Sequence, residues 1–227
     1  MEMTGPDIRT SAGCGPGGRP PAGIAVFVSG GGTNLQALLD AEKAGRLKSG
    51  RISLVVADRP GAYGLERAAA AGVPALLVNR RDFADKDRFN RRLLEEVREK
   101  GIELVVLAGF LSILSEEFIR AYPDRVVNVH PSLIPAFCGD GFYGLKVHEA
   151  ALARGVKLTG ATVHFVNEIT DGGRIIAQKA VPVKPGDTPQ TLQRRVMEEA
   201  EWQILPAAVE EVCREITGIQ NKENKDD

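Results

Sequence analysis

Four short, almost unbroken apolar runs set the fold class: Ile24–Val28, Ile52–Ala57, Leu104–Leu107 and Val126–Val129. Each is too short for a helix and none alternates with polar residues, so each reads as a strand buried on both faces. Helical patterns separate them. One runs from Thr33 to about Ala44 with Leu35, Leu38 and Leu39 on one face. A second, Leu65–Ala71, stops at Gly72, and a third, Asp85–Lys100, is charged outside with Phe89, Leu93, Leu94 and Val97 facing in. Ala75–Val78 adds a short strand. The alternation implies an α/β fold, a Rossmann-like and mostly parallel sheet with helices on both faces. Further on, Thr159–Val166 alternates as a half-exposed strand should, and Arg174–Val183 repeats that character after a Thr170-Asp171-Gly172-Gly173 turn. These read as antiparallel strands at the C-terminal edge of the sheet. Thr188 caps a last helix, with Pro189 in its first turn, running to about Ile216.

Residues 1–23 hold six Gly and four Pro without a hydrophobic period and read as a disordered leader. Residues 24–216 read as a single domain and 217–227 as a frayed polar tail. With 29 basic and 30 acidic residues the chain lacks the charge surplus of a general nucleic-acid or membrane-surface binder. No apolar stretch approaches the roughly 18 residues a membrane span needs. Cys14, Cys138 and Cys213 are scattered, without a CxxC pair. They read as free thiols in a reducing cytoplasm, not as a disulfide framework or a metal site.

Gly30-Gly31-Gly32-Thr33 follows the first strand and opens the first helix. Free backbone N–H groups and the positive end of the helix dipole there suit an anion; the alternative is a tight strand-to-helix turn. No Gly-Lys-Ser/Thr follows, so this is not a P-loop, and Leu35 stands where a dinucleotide fingerprint needs its last glycine. Asp58, ending the second strand, reads as a strand-end cap. The only histidines are His130, His148 and His164. Asn128 and His130, two apart on a strand, share a face at its carboxyl end, where open α/β sheets place ligands. An amide and an imidazole aimed at one point could stabilise an oxyanion, or could merely satisfy a loop. His164 reads equally as structural or functional, and His148 as a capping or supporting residue of the helical HEAALARG. Asp171 in its Asp-Gly-Gly segment reads first as a turn residue. No His or Cys pair has metal-ligand spacing.

The segments VSGGGTNLQAL, GLERA, VVLAGFLSILS, NVHPSLIP, GATVHFV and DGGRIIAQ follow in order. Their sequence resembles the folate-dependent phosphoribosylglycinamide formyltransferases of purine synthesis, over about residues 24 to 214. The resemblance implies attack of the glycinamide ribonucleotide amine on the formyl carbon of 10-formyltetrahydrofolate, the co-substrate, without a metal. It implies that Asn128 and His130 polarise the formyl oxygen and that Asp171 holds His130 charged and assists proton transfer. It also implies a phosphate on Gly31, Gly32, Thr33 and Asn34, with Glu201 meeting the ribose hydroxyls. The folate would lie between Leu111, Ser112, Ile113 and Leu114 and the loop of Asn167, Glu168, Ile169 and Thr170, beside Asn128, with Lys86 near its tail. Partners would be these small molecules, with no nucleic acid or membrane and with a homodimer left open.

Two departures stand out. Phe110-Leu111-Ser112-Ile113-Leu114 replaces the family's Phe-Met-Arg-Ile-Leu, removing a cation beside the folate. The stretch Ala136–His148 is longer than the usual loop. A formyltetrahydrofolate hydrolase or a methionyl-tRNA formyltransferase would bring a further domain, which the length does not accommodate. A non-catalytic nucleotide-binding module would use the glycine turn alone, and a dehydrogenase would need the complete fingerprint.

Overall fold

The first strand, β1 (Ala22–Val28), consists of apolar residues and one glycine. Alternate side chains leave opposite faces: Ile24, Val26 and Val28 join one hydrophobic cluster, and Ala25 and Phe27 join another. Such a strand needs cover on both sides. A computed structural model of the chain, which describes residues 19–218, supplies it. The remaining strands are β2 (Gly50–Ala57), β3 (Ala75–Leu77), β4 (Leu104–Leu107), β5 (Val126–His130), β6 (Leu158–Phe165) and β7 (Ile175–Pro182). The helices are α1 (Thr33–Lys43), α2 (Gly64–Ala70), α3 (Lys86–Glu99), α4 (Glu116–Ala121), α5 (Leu145–Arg154), α6 (Pro189–Val196) and α7 (Trp202–Thr217).

The strands form one sheet in the order β3-β2-β1-β4-β5-β6-β7. Pairing is parallel from β3 to β5, and antiparallel between β5 and β6 and between β6 and β7. Leu35 and Leu38 of α1, Ala68 of α2 and Leu205 and Val209 of α7 cover one face. Phe89 and Leu93 of α3 and Phe118 of α4 cover the other. Leu192 and Val196 of α6 pack on Ala161 and Val181, closing the antiparallel end. The chain leaves β1 towards β2 and β3 and returns to β4 on β1's other side. The loops after β1 and β4 therefore flank a switch point, the position where such sheets bind ligands. Ser29 joins the two loops: its N–H donates to Gly109 O (3.0 Å) and its Oγ accepts from Leu111 N–H (2.8 Å).

The α/β architecture and its antiparallel edge are as expected, and the differences are local. Ala22 and Gly23, assigned to the leader, pair with Gly50 and Arg51 and belong to the sheet. Thr217, assigned to the tail, closes α7, its hydroxyl donating to Cys213 O (2.9 Å). The rest of both terminal segments, with Cys14, lies outside the described residues, apart from Arg19–Pro21 and Gly218. β6 is not half-exposed: every residue after Leu158 is buried, because it lies inside the sheet and β7 takes the edge. Thr162 Oγ1 and His164 Nδ1 find internal acceptors in Ser132 O (2.7 Å) and Phe165 O (2.8 Å), whereas the buried Thr159 hydroxyl has no partner. The single last helix is broken between α6 and α7 by a π-turn, Met197–Glu201. Helix α4 carries too short a pattern to be visible in the sequence.

Candidate active site

Two constellations lie along the carboxyl edge of the parallel strands. The first is the turn after β1. Gly32 has a left-handed backbone (φ 67°) and precedes α1 with no side chain capping the helix. Among the described residues, the N–H groups of Gly31, Gly32, Thr33 and Asn34 donate to nothing. They form a row of free donors at the positive end of a helix, the arrangement an anion requires. Asn34 is buried and its Nδ2 donates to Glu201 Oε2 (2.6 Å), while its Oδ1 has no partner. Glu201 reaches this point because the π-turn shifts the helix register and turns it inward, to 6 % exposure. Burial pushes its carboxyl up to about 7 despite the Asn34 hydrogen bond. The structure thus brings the glycine turn and Glu201 together across 167 residues of chain.

The second constellation stands at the end of β5. Register places Asn128 opposite His164 and His130 opposite Thr162 on β6. His164 Nδ1 lies 2.8 Å from Phe165 O and so carries a proton, while its Nε2 lies 3.2 Å from Asn128 Nδ2, accepting from that amide in a neutral ring and facing Asp171 as a donor in a charged one. Asp171 sits between the two imidazoles, with Oδ2 3.6 Å from His130 Nδ1 and Oδ1 3.6 Å from His164 Nε2. It has a left-handed backbone (φ 55°), which turns the loop back over β5 and β6. Burial alone would raise its carboxyl. Hydrogen bonding from His164 and from the Gly139 N–H (2.8 Å), with the charges of both histidines, outweighs burial and holds it below the usual carboxylate range. His130 Nε2 faces Phe137 O at 2.9 Å. Both neighbours of the ring are acceptors: Phe137 O is within hydrogen-bond distance of Nε2, and the Asp171 carboxylate stands 3.6 Å from Nδ1, an ion-pair contact for a charged ring.

This cluster opens into a cleft of ≈ 650 Å³ that also contains every residue assigned to the folate. Leu111 (50 % exposed), Ile113 (60 %) and Ile169 (68 %) present apolar walls. Leu114 and the polar Asn167, Glu168 and Thr170 complete the lining, and Lys86 stands at the start of α3. Ser112 is different: it is buried and its Oγ donates to Asp58 Oδ2 (2.7 Å). Burial would raise Asp58, but its hydrogen bonds from Arg59 and Ser112 hold it low. The pair fastens the Leu111–Leu114 segment to the end of β2. Gly31–Asn34 and Glu201 do not line this cleft and occupy the neighbouring part of the edge.

Sequence reasoning left His164 undecided and did not see Gly139. The signal for His164 was present, since antiparallel pairing of β6 with β5 puts it beside Asn128. Gly139 acts through its backbone, which no residue type announces. His148 caps nothing: it is fully buried with both ring nitrogens unpartnered, and burial with the nearby His130 charge pushes it down to about 4.

A family model described as formyl transferase matches residues 22–209. This chain belongs to the formyl transferase family. Relatives narrow the placement to the phosphoribosylglycinamide formyltransferases. The chloroplastic phosphoribosylglycinamide formyltransferase of Arabidopsis thaliana is 38 % identical over 213 residues, covering 90 % of this chain and 72 % of that one. The trifunctional purine biosynthetic protein adenosine-3 of Homo sapiens is 42 % identical over 192 residues, 85 % of this chain but only 18 % of that protein. Among solved structures, glycinamide ribonucleotide transformylase 1 from Symbiobacterium toebii superposes with a TM-score of 0.81 at 43 % identity, covering 86 % of this chain and 89 % of that one.

Proposed function

We propose that the protein transfers the formyl group of 10-formyltetrahydrofolate to the amine of glycinamide ribonucleotide in purine synthesis, with Asn128, His130 and Asp171 as its catalytic residues. One observation carries the residue assignment: an amide, an imidazole and an ionised carboxylate converge at the carboxyl end of β5, inside a cleft with apolar walls. The ribonucleotide phosphate lies on the free N–H groups of Gly31–Asn34, and its ribose hydroxyls meet Glu201. β1 and β5 are two strand spacings apart, about 10 Å, so a ligand anchored at one loop extends its amine to the other. The pterin packs between Leu111–Leu114 and Asn167–Thr170, with the tail towards Lys86.

As the amine nitrogen bonds to the formyl carbon, the formyl oxygen gains negative charge. N–H donors on Asn128 and His130 stabilise it. The attacking nitrogen must lose a proton and the folate nitrogen must gain one as its bond to carbon breaks. Asp171 takes the first, directly or through a water, and His130 is placed to return a proton to the leaving nitrogen. Phe137 O occupies the His130 donor in this structure, so the incoming formyl oxygen replaces a carbonyl on that nitrogen. We place the activity in the cytoplasm; among the described residues no helix is long and apolar enough to cross a membrane.

Folate release followed spectrophotometrically tests the proposal. The purified protein is expected to release tetrahydrofolate only when glycinamide ribonucleotide is present, with neither metal nor nucleoside triphosphate added. Release of formate without the amine would point instead to hydrolysis.

A further inference from the structure

The three carbonyls of the glycine turn all have partners. Gly30 O accepts from Gly64 N–H (3.1 Å) and Gly32 O from Gln36 N–H (2.9 Å). Gly31 O accepts from the Arg67 guanidinium, with Nε at 2.8 Å. In a trans peptide the C=O and the following N–H lie in one plane and point opposite ways. Holding Gly30 O and Gly31 O on the α2 side therefore turns the N–H groups of Gly31 and Gly32 to the other side. Those two groups begin the row of free donors that α1 continues.

Arg67 is itself fixed in place. Its Nη1 donates to Gln36 Oε1 (2.9 Å), bridging the turn to the first turns of α1, and its guanidinium lies 5.1 Å from the Tyr63 ring. The turn also packs closely against the start of α2. A Cβ on Gly32 would stand 2.8 Å from Gly64 Cα and 3.4 Å from Arg67 Cδ.

We infer that Arg67 is a positioning residue of the ribonucleotide site: its guanidinium clamps the Gly31–Gly32 peptide so that the turn presents its N–H groups to the phosphate. The clamp acts from behind the loop. It rests on the reading of this loop as the ribonucleotide phosphate site. A glycine turn free to rotate its peptides would have to order them on binding, and that cost would appear in substrate affinity, not in chemistry. Arginine suits the task because one rigid fork holds two acceptors at once, which a lysine ammonium on a flexible stem does less well.

Steady-state kinetics of Arg67→Met, varying each substrate at saturating levels of the other, test the clamp. The KM for the ribonucleotide is expected to rise about tenfold, the equivalent of one charge-assisted hydrogen bond. The folate KM and kcat should stay within about twofold. Arg67→Lys keeps the charge and should recover less than half of the loss on a logarithmic scale. Gln36→Leu, which frees only the outer hold, should raise the same KM by about two- to threefold and serves if Arg67→Met folds poorly. Inorganic phosphate gives a second readout: its inhibition, competitive with the ribonucleotide, and its stabilisation of Tm should weaken in parallel. An unchanged ribonucleotide KM, a proportional rise in both KM values, or full recovery in Arg67→Lys would overturn the clamp. Failure of the functional reading looks different, since the wild-type protein would then release no folate in response to ribonucleotide, while the phosphate-induced Tm shift would still report on Arg67.

Discussion

The turn after β1 and the cluster after β5 lie two strands apart on one sheet edge, yet they are made of different things. The turn offers backbone: N–H groups set by glycine geometry, a helix end and carbonyls held from behind by α2. The cluster offers side chains gathered from β5, β6 and the Asp171 loop, with the Gly139 N–H holding the Asp171 carboxylate. Backbone donors are present in any folded copy of such a turn and change little as bonds are made, which suits the holding of a charge that stays constant. Ionisable side chains can accept and return protons, which the transfer step needs. The contrast predicts a division of labour, with substrate affinity governed at one place and turnover at the other.

The largest effect should come from the cluster. Asp171→Asn removes the charge and the base between two imidazoles and should lower kcat by roughly 10²–10⁴-fold, the range for a general acid or base, with Tm near that of the wild type. A variant retaining more than a tenth of the wild-type kcat would take Asp171 out of the proton route. In the turn, Gly32→Val meets both a positive φ and Gly64 Cα. It should cost roughly 1–3 kcal/mol of stability and raise the ribonucleotide KM far more than the folate KM. Equal changes in the two KM values would blur the comparison.

Glu201 sharpens it through pH. Its folded carboxyl titrates at about 7 against an ordinary 4.5, so between those values the folded state holds a proton that the unfolded state has lost. Stability therefore falls as pH rises through that window. The neutral Glu201→Gln should gain Tm relative to the wild type between pH 5 and pH 8. A Tm difference that is flat across that range would mean Glu201 ionises freely in the folded protein. The smallest effect belongs to the cleft wall: Ser112→Ala frees the Leu111–Leu114 segment from Asp58 and should raise the folate KM about threefold to tenfold, the scale of one buried hydrogen bond, without altering the ribonucleotide KM.

The strands were legible because a strand buried on both faces has no polar alternative, and β1, β2, β4 and β5 all carry that signature. β6 misled, since Thr159, Thr162 and His164 look solvent-facing in sequence, yet all three are buried, Thr162 and His164 with carbonyl partners in Ser132 O and Phe165 O. The π-turn was invisible because the apolar period continues into α7, and one extra residue per turn leaves no mark in composition. In the cluster, the i, i+2 relation of Asn128 and His130 could be read directly. Asp171 needed the resemblance, because an Asp-Gly-Gly segment describes a turn as well as it describes an acid. Arg67 lay within the recognised GLERA segment without any sign that its partner would be a carbonyl 36 residues away.

The division of labour is tested most directly by two-substrate kinetics on His130→Ala and Asn34→Ala side by side, with folate release as the signal. The account predicts that His130→Ala lowers kcat by at least a hundredfold and leaves the ribonucleotide KM within about threefold. It predicts the reverse for Asn34→Ala, which keeps the backbone N–H but frees Glu201 from its side-chain partner: a raised ribonucleotide KM at nearly unchanged kcat. Loss of kcat in both variants, or of ribonucleotide affinity in both, would contradict it.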